Sequence, residues 1–258
     1  MKIAITGKGG VGKTTLAAIL SHLFVAEGSR VIAVDADPDA NLASALGIPK
    51  NDVEKIRPLA DMAEVIEERT GSKPGSMGGM FRLNPKVNDL PEEIGYRLDG
   101  IILLSMGRLK AAASGCYCPE HVLLKSLLAH LIVEREEVVI VDMEAGIEHL
   151  TRGTAASVDA FIVVVEPGQR SIQTAKTVYG MAKKMGVQRV FVVANKVRGV
   201  EDLDFMKKNI GEMEMIGSLF FRAEVMEADI RGVSPYVSSP RTVAEVSALK
   251  KRIEEVLG

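Results

Sequence analysis

Residues 7–15 read Gly7-Lys8-Gly9-Gly10-Val11-Gly12-Lys13-Thr14-Thr15. A short apolar run at 2–6 precedes them and a helical pattern over 13–27 follows. This is the pattern G-x-x-x-x-G-K-[ST] in the strand-to-helix setting that it requires. Glycines let backbone N–H groups turn toward phosphate oxygens without a clash from Cβ, and the next helix adds its positive N-terminal end. The stretch therefore predicts a loop that binds the phosphates of a nucleotide.

The residues of this loop have separate expected roles. Lys13 is expected to reach the β- and γ-phosphates, and the Thr14 hydroxyl is expected to hold Mg²⁺. A second lysine, Lys8, is not needed to cradle phosphates within one chain. The residues alone leave open whether Lys8 is solvated or reaches a phosphate that a second chain holds. The expected nucleotide-binding residues are Gly9, Gly10, Val11, Gly12, Lys13, Thr14 and Thr15.

Outward from the loop, short apolar runs alternate with longer helical patterns. Strands are expected at 2–6, 31–35, 101–104, 138–142, 160–165, 190–194 and 214–219. Helices are expected at 13–27, 59–69, 120–134, 170–185, 201–209 and 242–257. Continuous apolar runs indicate strands that are buried on both faces. The rhythm predicts an α/β fold over residues 1–258, a single doubly wound and mostly parallel sheet flanked by helices. Residues 70–100, rich in glycine and proline, are expected to form a loop-rich insertion or switch region.

The composition of the chain argues against several classes of binding partner. The chain has 258 residues with 32 basic and 34 acidic side chains, so its net charge of −2 argues against nucleic-acid binding. Its 4% aromatic content is too low for a base-stacking surface. No apolar run approaches the roughly 18 residues of a membrane span, and the two cysteines cannot form a disulfide framework. We therefore expect a cytoplasmic protein that binds neither nucleic acid nor membrane.

Carboxylates follow two of the predicted strands. Asp35 ends the run at 31–35 and Asp37 follows it, and Asp142 ends the run at 138–142. Ligands in an open α/β sheet sit beyond the carboxyl ends of the strands, so these carboxylates should lie beside the phosphate loop. Asp35 and Asp142 are expected to help hold Mg²⁺, and the alternative is that they are turn or cap residues. Asn195 ends a later strand and offers an amide donor and acceptor that suit an adenine edge.

The cysteines stand together as Cys116-Tyr117-Cys118. This spacing makes a poor disulfide, and thiolates are soft ligands for nickel, zinc, copper(I) or iron–sulfur clusters. Two thiolates do not complete a four-coordinate site, but two copies of the chain would supply four across a two-fold axis. His121 is an alternative third ligand, and two small buried side chains are the structural alternative for the cysteines.

The pattern K-G-G-x-G-K-T-T, with the D-x-D-P segment at 35–38, resembles the deviant Walker A ATPases, which include MinD, the ParA proteins and the nitrogenase iron protein. The resemblance implies ATP hydrolysis in a dimer, with Lys8 crossing to the phosphates held by the partner. It also implies that Asp37 positions the attacking water and that Asn195 lies at the adenine. Residues 143–153 would form a switch whose Gly146 N–H approaches the γ-phosphate.

The mid-chain Cys116 and Cys118 narrow the resemblance to the CooC-type accessory ATPases of carbon monoxide dehydrogenase. That resemblance implies ATP/ADP and Mg²⁺, Ni²⁺ bound at the cysteines with Zn²⁺ as an alternative, and a homodimer that depends on ATP, metal or both. Carbon monoxide dehydrogenase would be the client. Two other functions stay open, a positioning or partition ATPase like MinD and ParA, and an iron–sulfur cluster carrier.

Overall fold

A computed structural model describes residues 1–76, 80–107, 118–145 and 150–258. The strands in these ranges are β1 (Lys2–Thr6), β2 (Val31–Ala36), β3 (Tyr96–Leu98), β4 (Ile101–Ser105), β5 (Val138–Met143), β6 (Ala160–Val165), β7 (Val190–Val197) and β8 (Glu214–Phe220). The helices are α1 (Lys13–Ala26), α2 (Leu42–Ala45), α3 (Lys50–Val53), α4 (Ala63–Thr70), α5 (Leu90–Ile94), α6 (Pro119–Val133), α7 (Arg152–Ala156), α8 (Gln169–Lys184), α9 (Val200–Asn209), α10 (Ala223–Arg231), α11 (Pro235–Ser238) and α12 (Pro240–Leu257). A 3₁₀ turn lies at Leu59–Asp61.

The described strands form one sheet in the order β3-β4-β2-β5-β1-β6-β7-β8. Neighbouring strands are parallel except β3 and β4, which pair antiparallel. The register places Asp142 of β5 opposite Asp35 of β2 on one side and Ile5 of β1 on the other. The phosphate loop follows β1 directly. The loop and both carboxylates therefore lie together at the carboxyl ends of three neighbouring strands, as the sequence predicted.

The core lies on both faces of the sheet. Alternate residues of one strand go to opposite faces, so Ile3 and Ile5 pack with α1 and α12 while Ala4 packs on the other face. The second face is covered by apolar residues of α4, α6 and α8. Burial on both faces explains why the strands read as continuous apolar runs. The doubly wound α/β prediction is confirmed.

The seven predicted strands and the long helices are present, with shifts of up to three residues at their ends. The helix expected at 59–69 is divided, because Met62 has a non-helical backbone (φ −91°, ψ 75°) between the 3₁₀ turn and α4. Strand β3 was not predicted. It forms a hairpin with β4 across Asp99-Gly100, whose positive φ values of 38° and 88° suit a two-residue turn. No helix in the described part of the chain is long and apolar enough to cross a membrane.

Candidate nucleotide site

Three glycines shape the phosphate loop. Gly7, Gly10 and Gly12 have φ values of 149°, 78° and 97°, which residues other than glycine rarely adopt. A Cβ on Gly7 would collide with the carbonyl oxygen of Val164, and one on Gly12 would collide with Asn195 Nδ2. The loop therefore requires glycine at all three positions for its backbone conformation, and at Gly7 also because a backbone carbonyl lies too close for a Cβ.

The two lysines of the loop lie in different environments. Lys13 is buried, with 5% of its side chain exposed, and its Nζ lies 3.3 Å from Asp37 Oδ2. Lys8 has 40% of its side chain exposed, and its Nζ lies 3.8 Å from Glu166 Oε1. Lys13 is thus held at the Asp37 carboxylate of its own chain, whereas Lys8 lies toward solvent.

The buried carboxylate Asp142 is placed to hold a cation together with Thr14. The Thr14 hydroxyl donates to Asp142 Oδ2 at 2.6 Å. The other oxygen, Asp142 Oδ1, is buried and has no hydrogen-bond partner among the described residues. Carboxylate and hydroxyl oxygens are the ligands that Mg²⁺ prefers, so this donor set fits a magnesium ion bound together with nucleotide phosphates. When bound, Mg²⁺ would neutralise charge that develops on those phosphates.

Burial also changes the ionisation of these carboxyl groups. Desolvation raises the pKa of Asp142 to about 7, opposed by the hydrogen bond from Thr14 and reinforced by the nearby charge of Asp35. Desolvation likewise raises the pKa of Asp35 to about 6, opposed by hydrogen bonds from the backbone N–H groups of Leu42 and Asp37. Burial thus disfavours the charged forms of Asp35 and Asp142, and a divalent cation bound beside them would favour those charged forms.

This ionisation predicts a pH-dependent stability. Because the pKa of folded Asp142 is about 7 against 3.8 for the unfolded group, the folded chain holds a proton that the unfolded chain has lost between about pH 4 and 7. The free energy of unfolding contributed by Asp142 therefore falls as the pH rises through that window. Asp142→Asn cannot ionise, so its stability relative to wild type should increase by roughly 3 kcal/mol from pH 4.5 to pH 8.

Urea denaturation of both proteins in EDTA at the two pH values measures this difference. Any constant effect of the amide cancels between the two pH values. A stability difference that does not change with pH would contradict the assignment of the raised pKa to Asp142.

Asn195 and Lys196, at the end of β7, both contact the loop. Asn195 Nδ2 donates to the Val11 carbonyl at 2.7 Å, and its Oδ1 accepts from the Lys196 N–H at 2.8 Å. Lys196 Nζ donates to the Gly10 carbonyl at 2.6 Å and lies 3.3 Å from Glu166 Oε2. The contact of Asn195 with adenine stays a prediction. The contacts of Lys196 were not predicted.

A cavity of about 70 Å³ lies on the Asn195 side of the loop. Gly12 and Thr15 border it on one side, and Phe221, Arg222 and Met226 border it on the other. Its largely apolar walls suit a flat base more than a phosphate. The cavity residues that follow β8 were not predicted from the sequence. The sequence feature that could have identified them is their position, because they follow a predicted strand directly at its carboxyl end.

The cysteine motif is described only in part. Cys118 immediately precedes α6 and is half-buried, and His121 lies in the first turn of that helix. Cys116 and Gly146 lie outside the described residues. Within the ranges that the structure describes, no three His, Cys, Asp or Glu side chains are grouped as ligands of one metal ion. The metal role of the two cysteines therefore stays a prediction.

Comparison with known proteins places the chain among nucleotide-binding proteins. Residues 2–236 match the model of the CobQ/CobB/MinD/ParA nucleotide binding domain. The chain is 43% identical over 258 residues to the carbon monoxide dehydrogenase accessory protein CooC of Rhodospirillum rubrum, which covers 100% of this chain and 98% of that protein. It is 47% identical over 235 residues to an uncharacterized ATP-binding protein of Methanocaldococcus jannaschii, covering 90% of each.

Solved structures share the fold at lower identity. The MinC:MinD cell division protein complex of Aquifex aeolicus gives a TM-score of 0.67 at 21% identity, covering 99% of this chain and 96% of that chain. A ParA family ATPase from Chlorobium tepidum gives 0.68 at 17% identity, covering 98% of each. These likenesses support the doubly wound fold alone.

Proposed function

The chain belongs to the CobQ/CobB/MinD/ParA family of nucleotide-binding domains, and from this premise we propose that it is a dimeric ATPase that delivers nickel to carbon monoxide dehydrogenase. The resemblance to MinD and ParA is confirmed, and the chain is an ATPase. The likeness to the accessory protein CooC over the whole chain supports a role beside carbon monoxide dehydrogenase. What we propose beyond the family and the ATPase activity is that the chain forms a dimer, that it binds nickel and that its client is carbon monoxide dehydrogenase.

The position of Lys8 is the observation that carries the proposal. Lys13 is buried against Asp37 of its own chain, whereas Lys8 borders an open groove of about 410 Å³ beside Arg170 and Gln173 of α8. Its half-exposed contact with Glu166 at 3.8 Å is of a kind worth less than about 1 kcal/mol. Lys8 can therefore leave Glu166 at little cost and reach a phosphate that a second copy presents at this groove.

Each charged side chain then has a defined task in hydrolysis. Lys13 passes from Asp37 to the phosphates of the nucleotide in its own chain, and Asp37 becomes available to orient the attacking water. Lys8 adds positive charge to the phosphates held by the second copy. The attack breaks the bond between the β- and γ-phosphates, and loss of the γ-phosphate removes the group that both copies bind. The copies would then separate.

Helices α7 and α6 link the segment of chain after Asp142 to Cys118. Asp142 lies near the end of β5, and α7 follows on the same chain after residues 146–149. Helix α7 packs against α6, and Cys118 stands immediately before α6. A rearrangement near Asp142 on nucleotide exchange would therefore displace the helix that starts at the metal-binding motif. In the proposal Cys116 and Cys118 of two copies supply four thiolates to Ni²⁺, with Zn²⁺ as the alternative ion.

Lys8→Ala tests the proposed dimer. We expect this variant to bind an ATP analogue through its intact loop but to remain a monomer, and to hydrolyse ATP about 1000-fold more slowly, as for other cations supplied in trans. Sedimentation velocity with a non-hydrolysable analogue measures the association, and Lys50→Ala, an exposed lysine of α3, is the matched control. A Lys8→Ala protein that dimerises like wild type would contradict the proposal.

A further inference from the structure

The end of β7 directs two consecutive side chains to the phosphate loop. In a regular strand, the side chains of Asn195 and Lys196 would point to opposite faces of the sheet. Here Lys196 has a φ of 56°, and the pairing of β7 with β8 shifts register between Ala194 and Val197. This irregularity lets both neighbours contact the loop. A left-handed backbone at a residue other than glycine is uncommon, so the conformation of Lys196 calls for a compensating contact.

The two side chains hold successive carbonyl groups of the loop. Lys196 Nζ donates to the Gly10 carbonyl at 2.6 Å, and Asn195 Nδ2 donates to the Val11 carbonyl at 2.7 Å. The described peptide bonds are trans, so each C=O points away from the N–H of the same peptide unit. Holding these carbonyls outward therefore directs the N–H groups of Val11 and Gly12 the opposite way. The Val11 N–H accordingly reaches across the loop to the Lys8 carbonyl at 3.3 Å.

We propose that Lys196 is a positioning residue for the nucleotide, because its ammonium group holds the Gly10 carbonyl outward and so keeps the Val11 N–H on the inner side of the loop, where a phosphate oxygen can replace the Lys8 carbonyl as its acceptor. Lys196 Nζ also donates a hydrogen bond to Glu166 Oε2 at 3.3 Å. A charged donor to a carbonyl makes a stronger hydrogen bond than a neutral one, which suits a contact that must fix a glycine-rich backbone. The inference rests on the ATP site alone and does not require the metal or a second copy.

Lys196 also borders the cavity on the Asn195 side of the loop, so contact with the base is the competing explanation. Pyrophosphate distinguishes the two explanations, because it binds to a phosphate loop but carries no base. We would measure dissociation constants of ADP and of pyrophosphate by calorimetry for wild type, Lys196→Met, Lys196→Arg and Lys207→Met. Methionine keeps much of the apolar stem without the donor, arginine keeps a donor, and Lys207 is an exposed lysine of α9.

The expected result is that Lys196→Met weakens ADP and pyrophosphate by the same factor, roughly 10- to 100-fold, as for loss of a hydrogen bond from a charged group. Lys196→Arg should recover most of that loss, and Lys207→Met should bind both ligands like wild type. If Lys196→Met weakens ADP but leaves pyrophosphate unchanged, Lys196 acts on the base and the proposal is overturned. Unchanged binding of both ligands overturns it as well.

A second variant separates the ammonium group from the backbone. Lys196→Gly adopts a φ of 56° without strain, so it should fold at least as well as wild type while lacking the donor. Thermal unfolding confirms its folding, and the same calorimetry should show the loss seen for Lys196→Met. Wild-type affinity for pyrophosphate in a folded Lys196→Gly protein would overturn the proposal.

Discussion

Asp37→Asn will bind ATP at least as tightly as the unchanged chain and hydrolyse it about 1000-fold more slowly. The Asp37 carboxylate lies 3.3 Å from Lys13 Nζ, so it competes with the phosphates of a nucleotide for that cation. An amide at this position removes the competing charge and releases Lys13. The same change removes the carboxylate that would orient and polarise the attacking water. Binding and turnover therefore move in opposite directions, which a simple loss of folding cannot produce.

Equilibrium binding of ATP in EDTA and single-turnover hydrolysis with Mg²⁺ measure the two effects separately. Asp39→Asn is the matched control, because Asp39 is an exposed carboxylate two residues away whose N–H donates to Asp37 Oδ1. The control should keep both binding and turnover within a few-fold of wild type. An Asp37→Asn protein with a normal rate of hydrolysis would remove Asp37 from the reaction.

The phosphate loop and its carboxylates could be predicted because chemistry and topology restrict them together. Phosphate binding needs glycine and lysine at fixed spacing, and the carboxyl ends of parallel strands meet at one edge of a sheet. Those two facts predicted that the carboxylates lie beside the phosphate loop, and the structure has Lys13 at Asp37 and Thr14 at Asp142. The continuous apolar runs likewise predicted strands buried on both faces.

Lys196 could not be assigned in this way. Its contact with Gly10 exists because the alternation of side chains breaks at the end of β7, where the pairing with β8 shifts register. The residue pattern of β7 alone does not predict such a break. The cavity residues Phe221, Arg222 and Met226 were missed because they come together with Gly12 only in the folded chain. By contrast, the Asp-Gly pair before β4 is a local hairpin signal that could have predicted β3.

Cys116→Ser combined with Cys118→Ser will abolish stoichiometric nickel binding but leave ATP hydrolysis within a few-fold of wild type. Serine is close in size to cysteine, but its neutral hydroxyl is a poor ligand for a soft or borderline metal. Cys118 is half-buried at the start of α6 and has no place in the phosphate loop, so the substitution should not disturb nucleotide binding directly. The pair of serines thus separates the proposed cargo site from the ATPase that would drive it.

The most direct measurement of the central claim is native mass spectrometry under anaerobic, reducing conditions, which reports mass and bound metal together. Wild type and the double serine variant would be compared with and without Ni²⁺ and a non-hydrolysable ATP analogue. We expect one nickel ion per wild-type dimer and none in the variant. Equal dimerisation of both proteins with the analogue, with no stoichiometric metal in either, would contradict it and favour a positioning ATPase like MinD and ParA.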